Sequence, residues 1–181
     1  WYALNDVPEA YTYGVTSYSK GADMVRTLRS VLGDSLFSAG FKQVLAEDAY
    51  SSMSSERLRD DLGAATGTDL TDFFNDWIFQ PGGAAFSVDS FSVAPNGGQF
   101  NVNVHIHQKT RGGAALFVNV PMSLNCIGAN GELQRTTQDL NGEYQNVTVS
   151  CPFTPVKVRL NDDERLALAT TLDERTISVT G

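Results

Sequence analysis

Two histidines, His105 and His107, are the first candidates for metal chemistry in this 181-residue chain. Only Ile106 separates them on a predicted strand, so both side chains project from the same face. Zinc normally needs three or four protein ligands, and Asn101 and Asn103 on the same face are poor ones. We therefore favour a polar strand face. The sequence predicts neither a metal ligand nor a cofactor-binding residue in this chain.

Two cysteines, Cys126 and Cys151, are the candidates for thiol chemistry. Both are in phase with apolar residues on predicted strands, which indicates burial. Neither has a histidine partner that would suggest a nucleophile. Buried free thiols and a disulfide between the two both fit the sequence, because the choice depends on the redox compartment.

Two acidic clusters, Asp60-Asp61 and Asp162-Asp163-Glu164, were the remaining candidates for a cation site. Neither shows the alternating carboxylate spacing and glycine of a calcium-binding loop. We interpret the first cluster as a helix surface and the second as a turn.

Tyr18 begins a stretch with helical periodicity, whose apolar residues fall on one side: Val25, Leu28, Val31 and Leu32. Gly33 ends this stretch, as a position after a helix C-terminus prefers. The sequence therefore places Tyr18 on the first turn of a packed helix, where a side chain is held rigidly. Taken alone, this position favours an interfacial tyrosine that packs against its neighbours.

Three more helical patterns follow and together predict a helical N-terminal part. The second runs from about Asp34 to Glu47, and the third is centred on Leu58 and Leu62. The fourth begins after Asp69 and has the strongest amphipathic pattern of the chain: Leu70, Phe73, Phe74, Trp77 and Ile78. Pro81-Gly82-Gly83 ends it.

After Gly83 the period changes from 3.6 to 2, which predicts strands. Alternating runs separated by Gly, Pro and Asn turns are typical of an antiparallel β-sandwich. One long strand is predicted from Leu116 to Cys126, and short ones at Leu166–Leu168 and Ile177–Val179. We therefore predict an α+β fold, with a helical segment of about four helices at 1–80 and a β-sandwich domain at 81–181.

Composition restricts the partners. The net charge of −8 at pH 7 argues against nucleic acid, and no apolar run reaches membrane-spanning length. The chain begins with Trp1, without a Met, so we expect it to be a piece of a longer protein. Low lysine content and abundant Ser, Thr, Asn and Gly suit a secreted or periplasmic protein.

Two stretches resemble the aminopeptidase-N-like zinc metallopeptidases of peptidase family M1, which are gluzincins. Tyr18-Ser19-Lys20-Gly21 before an apolar helix resembles the Tyr-x-Lys-Gly segment of that family. Phe73-Phe74-Asn75-Asp76-Trp77, followed by Gly82-Gly83, resembles the family's passage from the helical domain into a β-sandwich. Weaker similarity, including Gln108 at the end of a strand, extends to about residue 168.

The resemblance implies a role for Tyr18. In this family the tyrosine hydroxyl donates a hydrogen bond to the oxyanion formed on the scissile carbonyl, so Tyr18 is the candidate catalytic residue of the intact enzyme. Tyr13 matches a second tyrosine of some members. The zinc site of the family requires His-Glu-x-x-His and a later glutamate, and this chain contains neither the motif nor a third histidine.

The resemblance thus implies the C-terminal part of a zinc-dependent aminopeptidase that removes residues from peptide N-termini. The chain alone should be inactive, and its partners would be the upstream catalytic portion of the same protein and, in the intact enzyme, a peptide substrate. A non-catalytic pseudopeptidase or a β-sandwich interaction module is the alternative. A carbohydrate-binding sandwich is a third possibility, disfavoured by the few exposed aromatic residues expected.

Overall fold

A computed structural model describes residues 2–167 and 169–172 of the protein. These residues fall into two compact units. The helical unit contains the helices and two later segments, Gly112–Ala115 and Arg165–Leu168. The sheet unit contains the strands.

The helical unit contains four α-helices, as predicted. A short 3₁₀ turn, Glu9–Tyr11, and a π-helical turn, Thr16–Lys20, precede them. The α-helices are α1 (Gly21–Leu32), α2 (Asp34–Glu47), α3 (Ser55–Thr66) and α4 (Thr71–Trp77). None of the helices in the described part of the chain combines the length and apolar character needed to cross a bilayer.

Local signals set the helix ends. Gly33 and Gly67 end α1 and α3 with positive φ angles of 78° and 67°, a region in which other residues are strained. The Ser54 side chain accepts a hydrogen bond from the Arg57 backbone N–H at 3.2 Å and caps α3. Asp69 Oδ1 accepts one from the Thr71 N–H at 2.9 Å, at the start of α4. These caps satisfy backbone donors that a helix leaves unpaired.

The core of the helical unit is built mainly from α4 and its flanks. All five predicted apolar residues of that stretch are buried: Leu70, Phe73, Phe74, Trp77 and Ile78. In α1 the prediction is only partly right. Leu28 and Leu32 are buried, but Val25 is exposed and Thr27 is buried in its place.

Gly40 on α2 lies where α2 meets α3, and we expect Gly40→Ala to destabilise the protein. A Cβ there would lie 2.6 Å from Thr66 Cγ2 and 2.8 Å from Leu62 Cδ1. Leu62 is fully buried, and the Thr66 hydroxyl donates to the Leu62 carbonyl at 2.7 Å, so neither can move aside cheaply. The clash outweighs the better helix propensity of alanine, and the net loss is about 1–2 kcal/mol.

Thermal melting of Gly40→Ala beside Gly21→Ala tests this. Gly21 begins α1, and a Cβ there would meet no heavy atom within 4 Å. Its substitution should therefore leave the melting temperature unchanged or raise it slightly. Equal melting of the two variants would contradict the proposed clash.

The sheet unit contains seven described strands: β1 (Gly83–Asn96), β2 (Gln99–Arg111), β3 (Val120–Gly128), β4 (Leu133–Leu140), β5 (Tyr144–Cys151), β6 (Pro155–Leu160) and β7 (Thr170–Leu172). One sheet has the order β5-β2-β1-β7 and the other β4-β3-β6. The pairs β2–β5, β3–β4 and β3–β6 are antiparallel, whereas the short β7 pairs with β1 in parallel.

Each sheet has an apolar face made by alternate residues. On the first sheet the buried side chains include Val102 and Val104 of β2 and Val149 of β5; on the second they include Met122 and Leu124 of β3. Both sheets belong to one compact unit, in a sandwich-like arrangement. The predicted α+β fold is confirmed.

Three predicted strand assignments need correction or lie outside the description. The long strand begins at Val120 rather than at Leu116, because Asn119 has a φ of 50° and interrupts the extended backbone. Leu166 is buried but belongs to no strand, and the strand of this region is β7. Leu168 and the predicted strand Ile177–Val179 lie outside the described residues.

Candidate functional site

Tyr18 lies in the π-helical turn that leads into α1. The predicted position on the first turn of the helix is wrong, because the π-helical turn Thr16–Lys20 precedes the α-helix, which begins at Gly21. A π turn holds one more residue than an α turn and is common at functional sites. The Tyr18 side chain is 62% exposed, and its ring lies 6.5 Å from the ring of Tyr13, tilted by 30°.

A tight turn at Gly14 precedes the π-helical turn that contains Tyr18. A Cβ on Gly14 would lie only 2.8 Å from the Tyr11 carbonyl oxygen, so a larger residue does not fit without movement. The Tyr18 N–H donates to the Gly14 carbonyl at 3.2 Å. Gly14 is therefore the one residue of this stretch whose type signals the tight backbone geometry.

The segment that leads to Tyr18 carries several exposed aromatic rings. Tyr2 and Tyr11 stack with centroids 5.6 Å apart, and Tyr11 and Tyr13 are 56% and 87% exposed. Tyr18 and the neighbouring Val15 are exposed as well. The segment from Tyr2 to Tyr18 thus carries several exposed aromatic side chains, of which Tyr13 lies beside Tyr18.

Lys20 positions this turn from inside the helical unit. Its Nζ donates to the Tyr2 carbonyl at 3.4 Å and to the Gln80 carbonyl at 3.5 Å. Burial of the amine lowers the pKa of Lys20. A surface or helix-packing residue was expected at Lys20, and the structure shows that it links the start of the chain, the π turn and the segment after α4.

Two further contacts extend the same linkage. The Leu4 N–H donates to the Ile78 carbonyl at 2.9 Å, and the Ala115 N–H donates to Gln80 Oε1 at 2.7 Å. The turn that carries Tyr18 is therefore anchored to the buried α4 region, which is rigid because Phe74, Trp77 and Ile78 are at most 3% exposed.

The two histidines occupy different environments. His105 is exposed, whereas His107 stacks on Tyr144 with centroids 4.3 Å apart. His107 Nδ1 lies 3.5 Å from Asp89 Oδ2, and its Nε2 lies 3.8 Å from Glu143 Oε1. Within residues 2–167 and 169–172, no three His, Cys, Asp or Glu side chains are grouped so that they could hold a metal ion.

The acidic clusters are paired with arginines. Asp60 and Asp61, on the surface of α3, accept from Arg59 at 2.7 Å and from Arg57 at 3.2 Å. Asp162, at the turn after β6, accepts from Arg159 at 2.9 Å. The predicted helix-surface and turn positions are confirmed.

Gln108, which the sequence analysis noted only for its resemblance, is a buried hydrogen-bonding centre of the sheet unit. Its Oε1 accepts from the Phe117 N–H at 2.7 Å. Its Nε2 donates to the Phe117 carbonyl at 3.1 Å and to the Gly142 carbonyl at 2.9 Å. One side chain thus replaces strand pairing for the irregular segment before β3.

Comparison with known proteins identifies the family of the helical part. Residues 3–77, which include the π turn, Lys20 and the four helices, match the peptidase family M1 domain. The helical part of the chain is similar to peptidase family M1. The M1 segment therefore contains Tyr18-Ser19-Lys20-Gly21, as the resemblance implied.

Several relatives of the M1 segment are aminopeptidases. Aminopeptidase N of Lactococcus lactis subsp. lactis is 34% identical over 65 residues, which is 36% of this chain and 8% of that protein. Aminopeptidase 2, mitochondrial, of Saccharomyces cerevisiae is 35% identical over 85 residues, 47% of this chain and 9% of that protein. A probable aminopeptidase 2 of Sulfurisphaera tokodaii is 25% identical over 145 residues, 80% of this chain and 17% of that protein.

A solved structure shares the fold of the M1 segment and of the strands after it. Aminopeptidase A of Legionella pneumophila, crystallised in complex with aspartic acid, matches 90% of this chain and 18% of its own chain. The TM-score is 0.67 and the sequence identity 17%. The chain thus spans less than a fifth of the length of each of these relatives.

Proposed function

We propose that this chain is the C-terminal part of a zinc-dependent aminopeptidase, in which Tyr18 stabilises the oxyanion formed during peptide-bond cleavage. The match of residues 3–77 to the M1 domain carries the proposal. The relatives that cover these residues are named aminopeptidases. Under this proposal the intact protein removes residues from peptide N-termini.

The geometry of Tyr18 suits the proposed role. An oxyanion donor must be aimed at the place where charge develops and must be fixed before the reaction. The Tyr18 side chain is exposed, so its hydroxyl is accessible to a substrate. The backbone beneath it is fixed by the Gly14 carbonyl and by the Lys20 amine.

The described residues do not fit the zinc ion that the family implies, because no suitable group of ligands is present among them. Zinc ligands and the general base would belong to the upstream catalytic portion of the intact protein. We assign no step to the metal within this chain. The partners proposed from the sequence, namely that upstream portion and a peptide substrate, follow from the same reasoning.

The domain division and the location also belong to the proposal. Residues 1–80 would be the helical tail of the catalytic domain, and residues 81–181 the β-sandwich domain behind it. A secreted or periplasmic location is favoured by composition, with its low lysine content. Exported protein in the culture medium or periplasmic fraction would support the location, and cytosolic retention would oppose it.

The alternative is a pseudopeptidase whose sandwich serves as an interaction module. It would keep the M1 helices without a working zinc site. The sequence of the intact protein upstream of Trp1 separates the two readings. His-Glu-x-x-His followed by a glutamate on the next helix would support the aminopeptidase, and loss of any of these three ligands would support the pseudopeptidase.

We expect the purified chain alone neither to bind zinc stoichiometrically nor to hydrolyse aminoacyl-anilide substrates. The reason is that three or four suitably placed ligands are needed to hold zinc. Metal analysis after dialysis and a turnover assay measure both properties, and the intact protein is the positive control. One tightly bound zinc per chain would overturn the interpretation of His105 and His107.

A further inference from the structure

The two cysteines are brought together although they lie on different sheets. Cys126 is on β3 of the three-stranded sheet, and Cys151 ends β5 of the four-stranded sheet. Cys151 is one of the groups that raise the pKa of Cys126, so the two cysteines are near neighbours, and both residues have 0% exposure. Both are free thiols in the structure.

We propose that Cys126 and Cys151 form a disulfide across the sandwich when the chain folds in an oxidising compartment, and that folding then fixes the redox state of the pair. The oxidant would be a disulfide, either a small molecule or the active site of a thiol oxidase. The structure supports it by bringing the two buried cysteines close enough to interact.

The exchange proceeds in two steps. A thiolate of one cysteine attacks the oxidant disulfide, forms a mixed disulfide and releases one oxidant thiolate. The thiolate of the second cysteine then attacks the protein sulfur of the mixed disulfide, and the second oxidant thiol leaves. Two protein thiols lose two protons and two electrons, and one oxidant disulfide becomes two thiols.

This chemistry belongs to folding rather than to the folded state. In the fold, burial first of all, together with the charge and the hydrogen bond of Cys151, raises the pKa of Cys126 to about 12. The attacking thiolate is therefore scarce at neutral pH, and the oxidant cannot reach sulfur atoms that have no exposed surface. The same burial shields a disulfide, once formed, from reductants.

The environment of the pair favours a structural role. Cys126 lies opposite Gln134 and Val158 on the neighbouring strands, and Cys151 lies opposite Phe100. A cross-link there would join the two sheets at their facing surfaces. By restricting the unfolded chain, it should raise the melting temperature by about 5–10 °C.

The test is to fold the full chain from denaturant in a mixture of oxidised and reduced glutathione, and in parallel with excess reductant. Each product is denatured without reductant and alkylated, and its intact mass is measured by mass spectrometry. The oxidised preparation should take up no alkyl group and melt higher, and the reduced one should take up two. Cys151→Ser, treated alike, should take up one and show no gain in melting temperature.

The proposed disulfide would be contradicted if the chain folded with oxidised glutathione took up two alkyl groups. Retention of one glutathione per chain would contradict it as well. The shielding is tested separately by adding oxidised glutathione to the reduced, already folded chain. If both thiols persist for hours, the redox state of the pair is set during folding, as proposed. Oxidation within minutes would contradict this.

Discussion

Replacement of Tyr18 by phenylalanine in the intact protein is expected to lower kcat on the order of 10²–10³-fold. The change removes one hydroxyl that would donate to the developing oxyanion, and single donors of this kind have effects of this size. The interaction exists only in the transition state, so kcat and kcat/KM should fall together while KM changes little. Zinc content and fold should be unchanged.

Two controls define this result. Tyr11→Phe removes an equally exposed hydroxyl from the same aromatic group and should leave turnover unchanged. In the isolated chain, Tyr18→Phe should hardly move the melting temperature, because an exposed hydroxyl contributes little to stability. Substantial loss of stability in the chain, with full turnover in the intact protein, would show that Tyr18 is structural.

Replacement of Gln108 by alanine is expected to lower the free energy of unfolding by about 3 kcal/mol. The variant removes three hydrogen bonds, to the N–H and carbonyl of Phe117 and to the carbonyl of Gly142. Each such bond contributes about 0.5–1.5 kcal/mol net to stability. The melting temperature should fall by about 6–12 °C.

Gln108→Glu sharpens the interpretation. It keeps the shape of the side chain and the acceptor for the Phe117 N–H, but it loses the donor to both carbonyls and introduces a buried charge. It should therefore be at least as destabilised as the alanine variant. Gln99→Ala, an exposed glutamine on the same strand, is the matched control and should stay within about 0.5 kcal/mol of the native protein. Equal melting temperatures of Gln108→Ala and Gln99→Ala would rule out the proposed stabilising role of the Gln108 side chain.

The sequence predicts best where burial follows a local period. Around α4, the apolar residues from Leu70 to Ile78 are buried as predicted, because the whole face is enclosed by the helical unit. In α1 the prediction fails at two residues, because Thr27 is buried and Val25 is exposed. The γ-methyl group of threonine can pack like that of valine, and hydrophobic periodicity does not count it.

Long-range contacts account for what the sequence does not predict. Alternation alone extends β3 back to Leu116, but the side chain of Gln108 binds the backbone of Phe117 and the positive φ of Asn119 interrupts the strand. The candidate role of Tyr18 rests on a short motif and stays a prediction. Its π turn was not predictable, because one extra residue per turn leaves no clear trace in a period of 3.6.

The division of the chain also bears on how such a protein can be inherited. The chain passes from one unit to the other after Gly83, Arg111, Ala115, Glu164 and Leu168. A recombination event joins genes at a single point, so no one crossover can transfer the sheet unit without breaking either unit. A single crossover after Gly83 would separate the segment Gly112–Ala115 from the rest of its helical unit.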